Sequence, residues 1–177
     1  MASGAAKRYA QAVVGLAKER GTLDAWYDDL ARLDELMGEP RAAHLFASPN
    51  VAAADKLRIV DQVLAGAQPE ARNLGRLLVE RDRLEIVPQL FRIYADARLA
   101  DQGIAIAEVT TAEQLGMLEQ EVVREHLGRL IGKRIELRMH TDPSIIGGIV
   151  ARVGDRLIDG SVINQLRALR ARLARTA

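Results

Sequence analysis

The residues of this chain with the most capacity for chemistry are three aspartates, three histidines and a pair of glycines. Asp142, Asp155 and Asp159 form the densest carboxylate group. Converging carboxylates can hold a cation or exchange protons with a substrate, so a small hydrolase is one function they allow. Each also stands where aspartate commonly serves a turn or a strand end. Gly147-Gly148 shares only its glycines with a phosphate-binding loop: it lacks the loop's lysine and does not lead from a strand into a helix. Two glycines bordering a strand point instead to a close backbone approach or a bulge. His44, His126 and His140 show no ligand spacing and read as surface or boundary residues. There is no cysteine, which excludes disulfides, zinc-thiolate sites and a thiol nucleophile. No catalytic residue, metal or cofactor is therefore expected.

Nucleic-acid binding is the alternative reading. Arg167, Arg170, Arg172 and Arg175 crowd the last segment, and an adaptor could use that basic helix. A solvated helix face, with cations near the negative end of the dipole, accounts for the same residues. Residues 1–102 carry 14 Lys and Arg against 15 Asp and Glu, and residues 103–177 carry 11 against 9. Neither part has the basic excess that phosphate backbones require. No Phe, Tyr or Trp follows residue 102, so a sheet there has no ring to stack on a base.

The elements that must position these residues fall into two sets. Up to about residue 100 the apolar spacing is helical throughout. The first segment, Ala5–Glu19, places Tyr9, Ala12, Val13, Leu16 and Ala17 at helical intervals, and Gly21 is placed to stop it. The second, Leu23–Met37, carries Leu23, Trp26, Leu30, Leu33 and Met37 as one stripe. A short turn at Ala42–Phe46 follows, then Ala53–Leu64, Glu70–Arg81 with Pro69 suited to its first turn, and Leu84–Leu99 with Pro88 in or near its first turn. Six helices joined by short loops predict an all-α bundle.

Gly103 breaks that pattern and the period changes to two. Ile104–Thr110 and Ile135–His140 read as strands separated by a helix. Thr111 and Gln114 are spaced as a capping box for this helix, with Leu115, Leu118, Val122, Leu127, Leu130 and Ile131 as its apolar set. Gly148–Val153 and Arg156–Asp159 read as a hairpin around Gly154-Asp155, with Ile149, Ala151, Val153 and Ile158 on one face. A final helix begins at Ser161. The expected fold is an all-α six-helix bundle at 1–102 followed by a small α+β domain at 103–177.

About half of the chain is hydrophobic but only 3% is aromatic, so Leu, Ile, Val and Ala must build the cores. No signal-peptide pattern opens the chain, and no apolar run reaches the ~20 residues of a membrane span. The expectation from these features is a cytoplasmic protein, or one peripheral on the inner face of a membrane. The first helix also shows apolar residues on more than one side, and the fifth adds the paired Leu77 and Leu78. A second apolar face on two neighbouring helices would make a groove for an amphipathic partner helix, although core packing explains one face of each.

The run Asp142-Pro143-Ser144-Ile145-Ile146-Gly147-Gly148-Ile149-Val150-Ala151-Arg152-Val153-Gly154-Asp155-Arg156-Leu157-Ile158-Asp159-Gly160-Ser161 resembles the signature of the delta subunit family of F-type ATP synthase, which includes the mitochondrial oligomycin-sensitivity-conferring protein. Lys7-Arg8-Tyr9-Ala10-Gln11-Ala12 is similar to the family's first helix. Asn73 to Leu84 is similar to its fifth helix and the turn after it, and Trp26 falls where many members carry Trp. The resemblance spans essentially the whole chain. It implies a non-catalytic stator subunit of the proton-translocating synthase, peripheral on the cytoplasmic face of the cell membrane and touching that membrane only through the complex. It implies that the bundle binds the N-terminal helix of an alpha subunit through Tyr9, Ala12, Val13 and Leu16 with Asn73, Leu74, Leu77 and Leu78. It also implies that the α+β domain binds the C-terminal end of the b-subunit stalk, with the final helix and the signature hairpin as candidate contacts. No nucleic acid is implied.

Overall fold

The computed structural model describes residues 4–167. It is helix-rich, with a small four-stranded sheet toward the C-terminal end. The chain divides into two compact units between Arg98 and Leu99.

In the first unit, α1 (Gly4–Arg20), α2 (Leu23–Gly38), α3 (Pro40–Ala47), α4 (Ala53–Val63) and α5 (Pro69–Glu80) are followed by a 3-10 turn (Leu84–Ile86) and α6 (Val87–Asp101). The short turn expected at Ala42–Phe46 is a two-turn helix, because Pro40 starts it at the position where a missing N–H costs nothing. Pro88 lies in the first turn of α6, and the expected single helix from Leu84 divides there into the 3-10 turn and α6. One hydrophobic cluster joins these elements, with Trp26, Leu30, Leu33, Leu64, Leu78, Leu90 and Tyr94 fully buried.

Polar contacts fix the angles between helices. The Tyr94 hydroxyl donates to the Leu23 carbonyl at 2.9 Å, tying α6 to the start of α2. Arg98 reinforces that seam, with its Nε 2.7 Å from Asp24 Oδ1 and its guanidinium 4.5 Å over the Tyr27 ring. Asp29, almost wholly buried on α2, accepts from the Gln68 backbone N–H at 3.1 Å. This sets a carboxylate at the start of α5, where the helix dipole favours negative charge.

In the second unit, β1 (Ile104–Thr111), α7 (Met117–Ile131), β2 (Arg134–Thr141), β3 (Ile149–Val153) and β4 (Arg156–Asp159) form a sheet ordered β2-β1-β3-β4. β1 and β2 are parallel, joined through α7, and the other pairs are antiparallel. Residues 162–167 are helical. Ala107, Val109, Ile135, Ala151 and Val153 share the buried face with Val123 and Leu127 of α7, and Ile149 and Ile158 pack against them.

Two expectations for α7 fail. Thr111 is the last residue of β1 and its hydroxyl donates to the Glu113 carbonyl, so it caps no helix. The helix starts six residues later, where Glu119 Oε2 accepts the Gly116 N–H at 2.8 Å. With that start, Val123, Leu127 and Ile131 face the sheet, while Leu118, Val122 and Leu130 are turned outward.

Candidate partner-binding groove

α1 and α5 each present one face with the same spacing. On α1 the residues are Tyr9, Ala12, Val13 and Leu16; on α5 they are Glu70, Asn73, Leu74 and Leu77. Both sets follow i, i+3, i+4, i+7, one stripe of an α-helix. Together with Trp26 of α2 they line a groove of about 340 Å³ in the first unit. Its polar groups are few: the Tyr9 hydroxyl, the Asn73 amide and the Glu70 carboxylate.

The sequence explains why this recess forms. α1 buries Ala6, Ala10, Val13 and Ala17, mostly small side chains that let the helix sit close to the core. Its larger Tyr9 and Leu16 are left half-buried at the rim. α5 is held by its other side. Gly75 lies so near α4 that a Cβ there would come 2.7 Å from Val60 Cγ1 and 2.9 Å from Leu64 Cδ1. Beside it, Arg76 makes a two-pronged pair with Asp61 of α4, Nε to Oδ1 at 2.9 Å and Nη2 to Oδ2 at 3.0 Å. The Arg76 hydrogen bond keeps the Asp61 carboxyl below the usual carboxylate range.

An ion pair between Arg20, at the end of α1, and Glu70, in the first turn of α5, closes one end of the groove. Glu70 also titrates below its ordinary value. A hydrogen bond to its own backbone N–H is the chief cause and Arg20 the second. The groove floor is Trp26, only 2% exposed.

Seven of the eight residues expected in the groove therefore line one surface. Leu78 does not. It is fully buried and points into the core, because one residue along a helix turns the side chain by about 100°. Trp26 and Glu70 are lining residues that the sequence reading did not place there. Trp26 reads as part of the α2 core stripe, which it also is. Glu70 reads as an ordinary charge in a first helical turn.

The other candidates disperse. Asp142 Oδ1 accepts the Ser144 N–H at 2.9 Å and Asp159 Oδ1 accepts the Ser161 N–H at 2.9 Å. Both are turn carboxylates held ionised by these serines. Asp155 lies in the β3–β4 turn, at the opposite end of β3 from Asp142. Among the described residues no group of three His, Cys, Asp or Glu could hold a metal ion. His44, His126 and His140 are exposed and lie on different elements. Gly148 has φ +84°, and a Cβ on it would lie 2.4 Å from the Gly160 carbonyl oxygen. The glycine pair thus serves a close backbone approach. Of the basic cluster, Arg167 is exposed, while Arg170, Arg172 and Arg175 lie outside the described residues.

The groove is apolar and its few polar groups form no catalytic constellation; comparison with known proteins says which family the chain belongs to. Residues 5–173 match the family described as ATP synthase delta (OSCP) subunit. The chain belongs to this family. Among curated relatives, the ATP synthase subunit delta of Heliobacterium modesticaldum is 38% identical over 173 residues, covering 97% of this chain and 94% of the relative. The one from Dehalococcoides mccartyi is 37% identical over 161 residues, covering 91% and 89%. A chain of the Toxoplasma gondii mitochondrial ATP synthase hexamer has the same fold, with a TM-score of 0.71 at 24% identity, covering 97% of this chain and 98% of that one. Family membership makes the protein a structural, non-catalytic subunit of the peripheral stalk of the F-type ATP synthase. It leaves the nucleic-acid alternative without support. The subunit is peripheral, and among the described residues no helix is long and apolar enough to cross a membrane.

Proposed function

We propose that this subunit joins the catalytic head to the b-subunit stalk through two separate surfaces. Residues 1–102 act as one six-helix bundle whose α1–α5 groove receives the N-terminal helix of an alpha subunit. Residues 103–177 act as an α+β domain that receives the C-terminal end of the b stalk. The subunit works on the cytoplasmic face of the cell membrane, reaches it only through the complex, and needs no cofactor. In this role it resists rotation of the head while the rotor turns, so that proton flow is coupled to ATP synthesis.

The observation that carries the reading is the pair of matched i, i+3, i+4, i+7 faces across one apolar groove. A helix laid there can set its own apolar stripe against both. A static joint needs slow dissociation more than fast capture. A nanomolar joint requires about 12 kcal/mol net, within reach of an interface of ~800 Å² per partner when a few large anchors are well buried. Tyr9, Leu16 and Leu77, half-buried on the groove walls, are such anchors. The near-neutral balance of the first 102 residues suits an apolar joint that must hold across ionic strengths.

The test is titration of the full chain with a peptide matching the alpha subunit's N-terminal helix. Tyr9→Asp and Leu77→Arg each weaken binding at least tenfold, about 1.4 kcal/mol, with circular dichroism unchanged. Unaltered affinity in a folded variant removes the groove assignment.

A further inference from the structure

The second unit is chemically polarised from end to end. The register places Thr111 opposite both Thr141 and Ile149, and Gly160 N–H bonds the Ile149 carbonyl. Loops 112–116 and 142–148 and the turn at 160–161 therefore meet at one pole of the sheet. α7 starts from that pole, and residues 162–167 leave it. Met117 (88% exposed), Leu118 (85%), Ile146 (75%) and Val122 (66%) stand open there, with Leu166 and Val162 beside them. The Val162 N–H bonds the Gly147 carbonyl at 3.0 Å, so Ile146 and Val162 belong to one surface. So much apolar side chain left in water marks an interface.

The charges of this pole are acidic. Its segments carry Glu113, Glu119, Asp142 and Asp159 against Arg167 alone among the described residues. Asp142 and Asp159 are fixed by their serine hydrogen bonds. The opposite pole, where the chain enters β1 and turns from β3 to β4, reverses the sign, with Arg129, Lys133, Arg134 and Arg156 against Asp101 and Asp155. A second copy apposed pole to pole would bring like charges together, which disfavours it. A partner with an apolar edge flanked by Lys and Arg is complementary in both respects.

We infer that this acidic apolar pole is the seat of the stalk: a terminal b-subunit helix whose apolar edge is flanked by basic side chains docks on Met117, Leu118, Val122 and Ile146. The inference rests on the proposed role of residues 103–177 and deepens it. It moves the contact away from the Gly154-Asp155 hairpin, which lies at the other end of the strands. It also gives the outward stripe of α7 a purpose that the core does not supply.

The experiment measures binding of the full chain to the soluble stalk portion of the b subunit from the same organism, at low and high salt. Leu118→Glu and Ile146→Glu each weaken it at least thirtyfold, and Glu113→Lys with Asp142→Lys weakens it further as salt is lowered. Leu130→Glu and Leu157→Glu, exposed apolar positions away from the pole, stay within twofold. All four apolar substitutions replace residues at least half exposed, and hydrogen-exchange protection of β1–β4 reports that the second unit of each variant is folded. If Leu130→Glu or Leu157→Glu abolishes stalk binding while Leu118→Glu does not, the pole is overturned. If the pole instead mediates self-association in sedimentation, or deletion of residues 168–177 alone uncovers an apolar dye site that Leu118→Glu removes, its occupant is another and the inference fails. If the wild-type chain ignores the stalk but still binds the alpha peptide, it is the proposed role of residues 103–177 that falls.

Discussion

The two units hold their apolar residues in opposite ways. The first encloses Trp26, Tyr94 and a set of leucines completely and offers only a recess, whose walls are half-buried and whose floor is the core itself. The second has a thin core of Ala107, Val109, Val123, Leu127, Ile135, Ala151 and Val153, and leaves leucine, methionine and isoleucine side chains open to water. A recess shaped by a complete core exists before its partner arrives, and binding there spends little on reorganisation. A unit with a small core and a large open apolar surface gains a substantial share of its stability from whatever covers it. The comparison therefore predicts a first unit that is stably folded without its partner, and a second unit that depends on its own for a substantial share of its stability.

Core truncation tests this most severely. Trp26→Ala removes the groove floor and the centre of the first core together. It should cost about 3–5 kcal/mol, read by hydrogen exchange as lost protection across α1–α6 with β1–β4 unaffected. Loss spreading equally through both units would break the contrast. Within one helix, Leu77→Ala and Leu78→Ala separate binding from folding. Leu78→Ala should cost about 2–5 kcal/mol of stability, whereas Leu77→Ala should mainly weaken the alpha peptide.

Next in size is Gly148→Ala. The positive φ and the 2.4 Å approach to the Gly160 carbonyl leave a methyl group no room, and backbone gives less readily than side chains. The second unit should lose about 3 kcal/mol in urea denaturation, and stalk protein in excess should restore most of it.

Tyr94→Phe is smaller. It deletes the hydrogen bond to Leu23 and should cost the first unit about 1 kcal/mol at neutral pH. Burial, helped by Asp24 and opposed by Arg98, pushes the phenol up to about 12. A folded value above the ordinary ~10 means its contribution is complete below pH 10 and disappears as pH climbs toward 12. The Phe variant should lack that alkaline slope in a pH series of thermal melts.

The smallest effect belongs to Asp142 and Asp159, whose carboxyls sit below their ordinary range through hydrogen bonds from Ser144 and Ser161. A lowered folded value contributes stability above about pH 4 that is lost as pH falls through it. Asp142→Asn with Asp159→Asn should flatten the acid limb of the second unit alone, since the first unit's limb rests on Asp61 and Glu70.

Much of this was legible in the residues. The switch from a period of 3.6 to 2 at Gly103, the Gly154-Asp155 hairpin and the helices with one apolar stripe all follow from local spacing. Spacing left the groove as one of two readings of α1 and α5, and it was the family resemblance that made Tyr9, Val13, Leu74 and Leu77 legible as its lining. Leu78 was not, because adjacent leucines on a helix differ in direction and only the packing of α4 against Gly75 decides which one turns inward. α7 was misread for a related reason. It carries two apolar stripes, Leu118-Val122 and Val123-Leu127-Ile131, and spacing alone does not say which meets the sheet. Thr111 offered a sound local cap, but strand pairing with Thr141 and Ile149 claimed its backbone.

β1 has a mechanical consequence. It enters the second unit at Ile104 and is bonded along one side to β2 over its whole length, and along the other to β3 from Ala107 to Thr111. Tension that enters along the chain at Ile104 and is resisted at the Thr111 end pulls parallel to this strand. Every bond of both ladders then shares the load in shear, whereas an edge strand such as β4 could be unzipped one pair at a time. A subunit that must stay rigid under repeated torque has its incoming strand where peeling is not available as a way to fail.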